Sequence, residues 1–453
     1  MRKTLKQLAN WLEIAEPSFA QTLVTGISID TRTIRQGDLF VPFRGESVNG
    51  HRFVEQAFEK GAAASLWLKD EPNPPTNRPL VFVDHAEQAL QKMAVAYRNE
   101  HQATFIGITG SNGKTSTKDI VACTLQPYYK VQKTIGNYNN HLGLPITILQ
   151  LDEDTDVSIL EMGMSGFGEI EFLSKLARPD IAIITNIGEA HMQDLGSRAG
   201  IAKAKYEIVQ GLKESGCLIY DGDEPLLQDL VTHDAESVTQ SFGFGYWNDY
   251  KASQIRMEAS GSRFQVTGAV EDEFFISILG EHQVKNALAA IATCQYIGLS
   301  KKQIQTALQQ ASLTDMRMQL LNKGQLLFIN DAYNAAPTSM RAAIQFMKTT
   351  TIRLDKWLVL GDMLELGDDE EIFHRELARL ITPQHFSHIC LYGRRMKWLY
   401  EELCKQFDAT QLLYREQVYE PIVEYIQQYA TAETVILLKG SRGMRLETIL
   451  QQL

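Results

Sequence analysis

Thr104-Phe-Ile-Gly-Ile-Thr-Gly-Ser-Asn-Gly-Lys-Thr-Ser-Thr117 is an apolar, β-rich run that empties into a loop of small residues ending in Gly113-Lys114-Thr115. Such a loop turns several backbone N–H groups toward one anion. The helix that follows adds its positive N-terminal end, Lys114 brings a point charge, and Thr115 brings a hydroxyl suited to Mg²⁺. The general motif places Gly five residues before Gly113. Ile108 stands there, flanked by Gly107 and Gly110, so the shorter form Gly110-x-x-Gly-Lys-Thr describes the loop better. An ordinary strand-to-helix turn is the plain alternative; Gly-Lys-Thr directly after a β-rich run favours nucleotide phosphate binding.

The surrounding chain sets bounds on what that loop serves. Its 453 residues are too many for one core and suggest about three domains. A net charge of −11 argues against a partner made of nucleic acid or anionic lipid. The five cysteines (Cys123, Cys217, Cys294, Cys390, Cys404) are scattered with no Cys-x-x-Cys, which points to neither a disulfide frame nor a structural zinc site. The opening residues lack the pattern of a secretory leader, and no apolar run reaches about 18 residues. A cytoplasmic protein without a membrane span is expected, acting as a monomer.

Before the loop, residues 1–100 alternate short β-rich runs with turns at Gly37-Asp38 and Gly45-Glu46, which predicts a small α/β unit. Strands are predicted at Ala63–Leu68 and Leu80–Val83, then a helix at about His85–Asn99. Ser28, Asp30 and Arg32 read by themselves as turn residues with a surface ion pair, and Asn49-Gly50-His51 reads as another turn.

Residues 101–314 deliver polar residues at the ends of apolar strands: the phosphate loop after Phe105–Thr109, Glu161 in the stretch Asp156–Gly163, and Asn186 and then His191 in the stretch Asp180–His191. Strands alternating with helical patterns predict a parallel sheet, whose ligands bind at the carboxyl ends of its strands. Gly110–Thr115, Glu161 and His191 are therefore expected on one rim. Asn137, Asn139 and Asn140 form an amide-rich loop, and Asn286 is an unfavoured residue inside a strongly helical run. Lys203 and Lys205 lie on different faces of a predicted helix. Residues 315–453 repeat the design, with strands ending at Asp331, Gly361-Asp362, Gly393 and Lys439-Gly-Ser-Arg442.

The stretches Gly361-Asp-Met-Leu-Glu-Leu-Gly367, Asp331-Ala-Tyr-Asn-Ala-Ala-Pro-Thr-Ser-Met340 and Leu160-Glu-Met-Gly163, together with the phosphate loop, resemble the Mur ligases of bacterial peptidoglycan synthesis. Within that family they resemble the branch that adds D-Ala-D-Ala; the branch that adds diaminopimelate or lysine carries an Asp-Asn-Pro-Arg motif, absent here. The resemblance implies three α/β domains. These are a UDP-substrate-binding domain over 1–100, a central ATP-binding domain of P-loop type over 101–314, and a Rossmann-like domain over 315–453 that binds the incoming dipeptide. It implies an ATP-dependent, ADP-forming ligase that joins D-Ala-D-Ala to UDP-MurNAc-tripeptide.

Residue by residue, the resemblance gives Ser28, Asp30, Arg32, Gly50 and His51 to the UDP substrate. Gly110, Ser111, Asn112, Gly113, Lys114, Thr115 and Ser116 go to ATP. Asn286 goes to the adenine, and Arg317 and Asp331 to ATP when the domains close. Thr115, Glu161 and His191 become Mg²⁺ ligands, and Lys205 is carbamylated to hold a second ion. Asn137, Asn139 and Asn140 face substrate and phosphate, while Asn334, Ser339 and the Lys439 segment serve the dipeptide. Two positions depart from the family: Asn49 stands where Asp is usual, and Ala336 where Asn is usual.

The implied chemistry needs ATP because a carboxylate is a poor electrophile. Phosphorylation to an acyl phosphate, then displacement by an amine, gathers negative charge that Lys114, Arg317 and Mg²⁺ offset. Another ligase of the same superfamily, including a folylpolyglutamate synthetase, would share this ATP site. A nucleotide-dependent switch would need neither the amide-rich loop nor a third domain.

Overall fold

The computed structural model of the protein describes residues 1–233, 238–258 and 260–453. The first module is a four-stranded, wholly parallel sheet: β1 (Gly26–Ser28), β2 (Asp38–Phe40), β3 (Ala64–Leu68) and β4 (Leu80–Val83), in that order. The helix α1 (Ala86–Glu100) follows it. Leu90, Met93, Ala94 and Tyr97 of α1 belong to the same buried cluster as Leu144, Ile146 and Leu149 of the central module. The first two modules are thus fused through one apolar core.

The central sheet has nine strands: β5 (Thr104–Thr109), β6 (Val131–Lys133), β7 (Val157–Glu161), β8 (Ile181–Ile184), β9 (Cys217–Asp221), β10 (Val238–Gly243), β11 (Tyr250–Glu258), β12 (Gly261–Gly268) and β13 (Asp272–Ile276). Their order is β13-β12-β11-β10-β9-β8-β5-β7-β6. The strands from β6 across to β11 are parallel, whereas β12 and β13 add an antiparallel edge. That edge extends the parallel sheet predicted from sequence. Its segments alternate polar and apolar residues, as suits strands with one face in water, and they follow one another through short turns rather than helices.

After β5 the chain runs to the sheet edge at β6, returns through β7, then crosses to β8 on the other side of β5. Chain direction therefore diverges at the carboxyl end of β5, the kind of crevice where open α/β sheets bind ligands. The phosphate loop leaves β5 there and leads into α2 (Lys114–Leu125), with the ends of β7 and β8 on either side.

The third module has six strands: β14 (Gln319–Lys323), β15 (Leu326–Asn330), β16 (Asp355–Gly361), β17 (His388–Tyr392), β18 (Leu412–Arg415) and β19 (Thr434–Lys439). Their order is β14-β15-β19-β16-β17-β18, with only β14 antiparallel. Two clusters of buried side chains cover its faces and are built almost wholly from its own residues. All five cysteines are free thiols. Among the described residues no helix is long and apolar enough to cross a membrane.

Candidate active site

The loop after β5 requires glycine at two points. Gly113 has φ +80° and a Cβ there would lie 2.6 Å from Asn286 Oδ1; Gly110 has φ +151° and its Cβ would lie 1.9 Å from Thr185 Oγ1. No L side chain fits either place without displacing its neighbour. The loop is stapled to the end of β8: Asn112 N donates to Asn186 Oδ1 (2.9 Å), and Asn186 Nδ2 donates back to Asn112 O (2.9 Å). Lys114 curls over the loop, its Nζ donating to Gly110 O (2.7 Å).

Around this loop several buried polar atoms have no hydrogen-bond partner among the described residues: Thr109 Oγ1, Ser111 Oγ, Asn112 Nδ2 and Arg317 Nε. Unpaired buried donors are costly unless a ligand meets them. Their concentration beside a helix N-terminus and Lys114 fits a polyanion such as the phosphates of a nucleotide.

Thr115 and Glu161 meet beside the loop. Thr115 Oγ1 donates to Glu161 Oε2 (2.9 Å), and the other carboxylate oxygen accepts from Asn139 Nδ2 (3.0 Å). These are hard oxygen donors of the kind Mg²⁺ prefers. From the third module, Arg317 Nη2 donates to the same Thr115 hydroxyl (2.8 Å), its guanidinium stacked 4.3 Å above the Tyr333 ring. The residue expected to reach ATP on domain closure thus already touches the phosphate loop.

Lys205 projects from the helix α3 (Arg198–Tyr206) into a fully buried position, while Lys203 of the same helix faces solvent. Lys205 has no hydrogen-bond or ion-pair partner among the described residues. Burial, and then the charge of Lys114, pull its pKa well below the ordinary lysine range. His191 adopts the left-handed backbone conformation (φ +66°) in the loop after β8. Its pKa is lowered by burial first and then by Lys205 and Lys114, and its Nδ1 lies 3.7 Å from Glu365 Oε2 of the third module. Lys114, His191 and Lys205 therefore share one electrostatic neighbourhood, which no spacing in the sequence revealed.

Three family models match the chain in succession: the Mur ligase family, catalytic domain, over residues 23–98; the Mur ligase middle domain over 108–294; and the Mur ligase, glutamate ligase domain, over 316–442. The UDP-N-acetylmuramoyl-tripeptide--D-alanyl-D-alanine ligase of Bacillus subtilis (strain 168) is 46% identical, the match covering 100% of this chain and 98% of that protein. The chain belongs to the Mur ligase family. Its fold matches a crystal structure of MurF from Acinetobacter baumannii with a TM-score of 0.88 at 29% identity, over 100% of this chain and 98% of the other. The MurF ligase of Thermotoga maritima, solved in complex with ADP, matches with a TM-score of 0.82 at 25% identity, over 94% of this chain and 96% of the other.

In this Mur ligase the remaining predicted residues are placed as follows. Ser28, Asp30 and Arg32 form a hydrogen-bonded turn after β1, with Asp30 and Arg32 paired at 2.6 Å and the Arg32 side chain 85% exposed. His51 is buried beside Trp67, its Nε2 accepting from Leu68 N (3.3 Å) and its Nδ1 lying 2.9 Å from Asn49 Oδ1. Asn49 also donates to Glu71, a bond the usual Asp could not make. Gly50 packs so closely on Phe43 that a Cβ would lie 2.8 Å from its carbonyl oxygen. Asn140 caps the next helix through Leu142 N and Gly143 N, and Asn137 is exposed.

Asn286, in α4 (Glu281–Ile297), backs the phosphate loop, with its amide bonded to Thr117 and Gln283. Ser116 is buried in the first turn of α2. Asp331 and Lys439 meet at 2.5 Å, and Lys439 also reaches Asn334 O (3.2 Å). The Asn334 side chain is exposed, and Ser339 caps α5 (Pro337–Thr349) by accepting from Ala336 N (3.0 Å).

Sequence reasoning passed over Glu189, two residues before His191. Its carboxylate crosses to the third module, accepting from Thr338 Oγ1 (2.6 Å), Thr338 N (3.3 Å) and Arg341 Nη2 (2.7 Å). It also passed over Asp119 of α2, which accepts from Lys133 (2.6 Å) and from Thr314 N and Oγ1 (2.9 and 2.7 Å) in the linker to the third module. The only signal for Glu189 was its place in a strand-end loop; Asp119 carried none.

Proposed function

We propose that this chain joins the amine of D-Ala-D-Ala to the terminal carboxylate of UDP-MurNAc-tripeptide, converting ATP to ADP and phosphate. The observation that carries the substrate assignment is the end-to-end 46% identity to a ligase of that name. Contact between Arg317 and the phosphate loop supports the chemistry. The carboxylate oxygen attacks the γ-phosphorus in line and the bond to ADP breaks, giving an acyl phosphate. The amine then attacks the acyl carbon, phosphate leaves, and the nitrogen loses a proton. An α-amine has a reference pKa near about 8, so part of the dipeptide is neutral at pH 7 without a dedicated base.

Lys114, Arg317 and the unpaired donors of the loop hold and neutralise the transferring phosphoryl group, so the protein contributes mainly positioning and electrostatics. Thr115 and Glu161 would hold one Mg²⁺, and His191 with a carbamate on Lys205 a second; these ions neutralise phosphate oxygens when bound. Lys205, buried and without a partner among the described residues, suits carbamylation, because CO₂ reacts with the neutral amine that burial favours.

In this reading the first module takes the UDP end through Ser28, Asp30, Arg32, Gly50 and His51. The third takes the dipeptide beside Asn334 and Ser339, and Asp331 and Asn286 border the nucleotide. We assign the work to a monomer in the cytoplasm. Incubation with ATP, Mg²⁺, UDP-MurNAc-tripeptide and D-Ala-D-Ala, read by mass, yields the pentapeptide. Phosphate release without that product, or product only with another amine, would refute the assignment.

A further inference from the structure

Lys118 lies one helical turn beyond Lys114 and Thr115, on the side of α2 that faces β7. Its side chain is 3% exposed, yet its ammonium makes no hydrogen bond among the described residues. The nearest carboxylate oxygens are Glu161 Oε2 at 3.7 Å and Asp119 Oδ1 at 3.9 Å. Both are committed elsewhere: Glu161 to Thr115 and Asn139, Asp119 to Lys133 and Thr314. An ammonium held only by such long contacts, to carboxylates engaged elsewhere, keeps donors free for a further anion.

The surroundings indicate which anion this charge awaits. Lys114 bends back over the phosphate loop to Gly110 O, and Arg317 reaches Thr115 from the third module. Lys118 stands beside Glu161, whose other carboxylate oxygen accepts from Asn139 of the amide-rich loop. Two cations thus touch the phosphate loop, and the third lies beside Glu161 and the amide-rich loop assigned to the substrate. In the first chemical step a carboxylate approaches the γ-phosphate, anion against anion. A fixed positive charge beside the carboxylate lowers that repulsion without moving a proton.

We propose that Lys118 is a further catalytic residue, whose ammonium binds the terminal carboxylate of the acceptor peptide and holds it for attack on the γ-phosphorus. This rests on the acceptor named under Proposed function. Lys118 keeps its protons throughout: the carboxylate oxygen forms the new bond to phosphorus, and the electron pair of the broken bond leaves with ADP.

The test compares dissociation constants of UDP-MurNAc-tripeptide and of the same compound with its terminal carboxylate converted to a primary amide. It uses the full chain with Mg²⁺ and a non-hydrolysable ATP analogue. Wild type should prefer the carboxylate at least tenfold. Lys118→Met should bring that ratio close to one, keep affinity for the ATP analogue within about threefold, and lower kcat at least a hundredfold. Lys118→Arg should restore part of the preference and cover the case in which the methionine variant folds poorly.

An undiminished carboxylate preference in Lys118→Met overturns the proposal, as does a loss confined to nucleotide affinity, which would assign Lys118 to the phosphates. A wild-type chain that binds neither compound overturns the acceptor reading, and this inference with it.

Discussion

The contact of Glu189 with Thr338 and Arg341 should act as a latch between the central and third modules. Glu189→Gln keeps an acceptor for Thr338 but removes the charge opposite Arg341. A hydrogen bond to a charged group contributes about 1.5–3 kcal/mol. The Glu189 side chain is 12% exposed but that of Arg341 is 40% exposed, so solvent screening discounts the pair, and about 1–2 kcal/mol remains. That corresponds to about a 5- to 30-fold fall in the ratio of closed to open molecules. Where the open form predominates, kcat/KM should fall by the same factor.

Arg341→Ala should have a similar effect without touching the loop that carries His191, and the double variant should lose little more than either single one. The assay pairs steady-state kinetics with ADP affinity, which should change less than twofold because the phosphate loop is untouched. Small-angle scattering of the ADP complex should report a more open chain. Wild-type kcat/KM in all three variants, or fully additive losses in the double one, would refute the latch.

Gly113→Ala forces a side chain into the left-handed region, 2.6 Å from Asn286 Oδ1, at a cost of about 1–2 kcal/mol in backbone strain alone. ADP affinity measured by calorimetry should fall at least tenfold. Lys205→Ala should abolish turnover, and a short carboxylic acid added to the assay should restore part of it; full activity without the acid would remove Lys205 from the mechanism. His374 is buried and neutral, its Nε2 accepting from Met363 N (3.1 Å) in the Gly361–Gly367 loop, and burial holds its pKa down at about 4. Between pH 6.5 and about 4 the unfolded chain binds a proton there that the folded chain does not. Its contribution is therefore full above pH 6.5 and falls by up to about 3 kcal/mol as pH drops to 4. Urea titrations across that window should show a shallower pH dependence in His374→Gln than in wild type.

The arrangement of cores explains why the latch is placed where it is. The first and central modules share one apolar cluster, which resists opening. The third meets the central module largely through polar contacts, at Arg317–Thr115, Glu189–Arg341, His191–Glu365 and Thr314–Asp119. Water can replace such contacts at modest cost, so this interface is the one suited to open and close around substrates.

Local pattern by itself determined a good deal. Apolar runs ending in Gly, Asn, Asp or Glu marked the strand ends, and Gly110-x-x-Gly-Lys-Thr marked the phosphate loop, because phosphate binding is built from consecutive backbone groups. Glu161 and His191 were legible only as polar residues at or after strand ends. Tertiary structure alone decided what each charge faces. Lys203 and Lys205 look alike in the chain, yet one is solvated and the other is buried beside His191 and Lys114. Lys118 and Glu189 look like ordinary helix and loop charges until folding brings Glu161 to the first and Arg341, 152 residues away, to the second. Desolvation and pairing depend on distances through space, and those are set by the packing of whole modules rather than by any neighbouring residue.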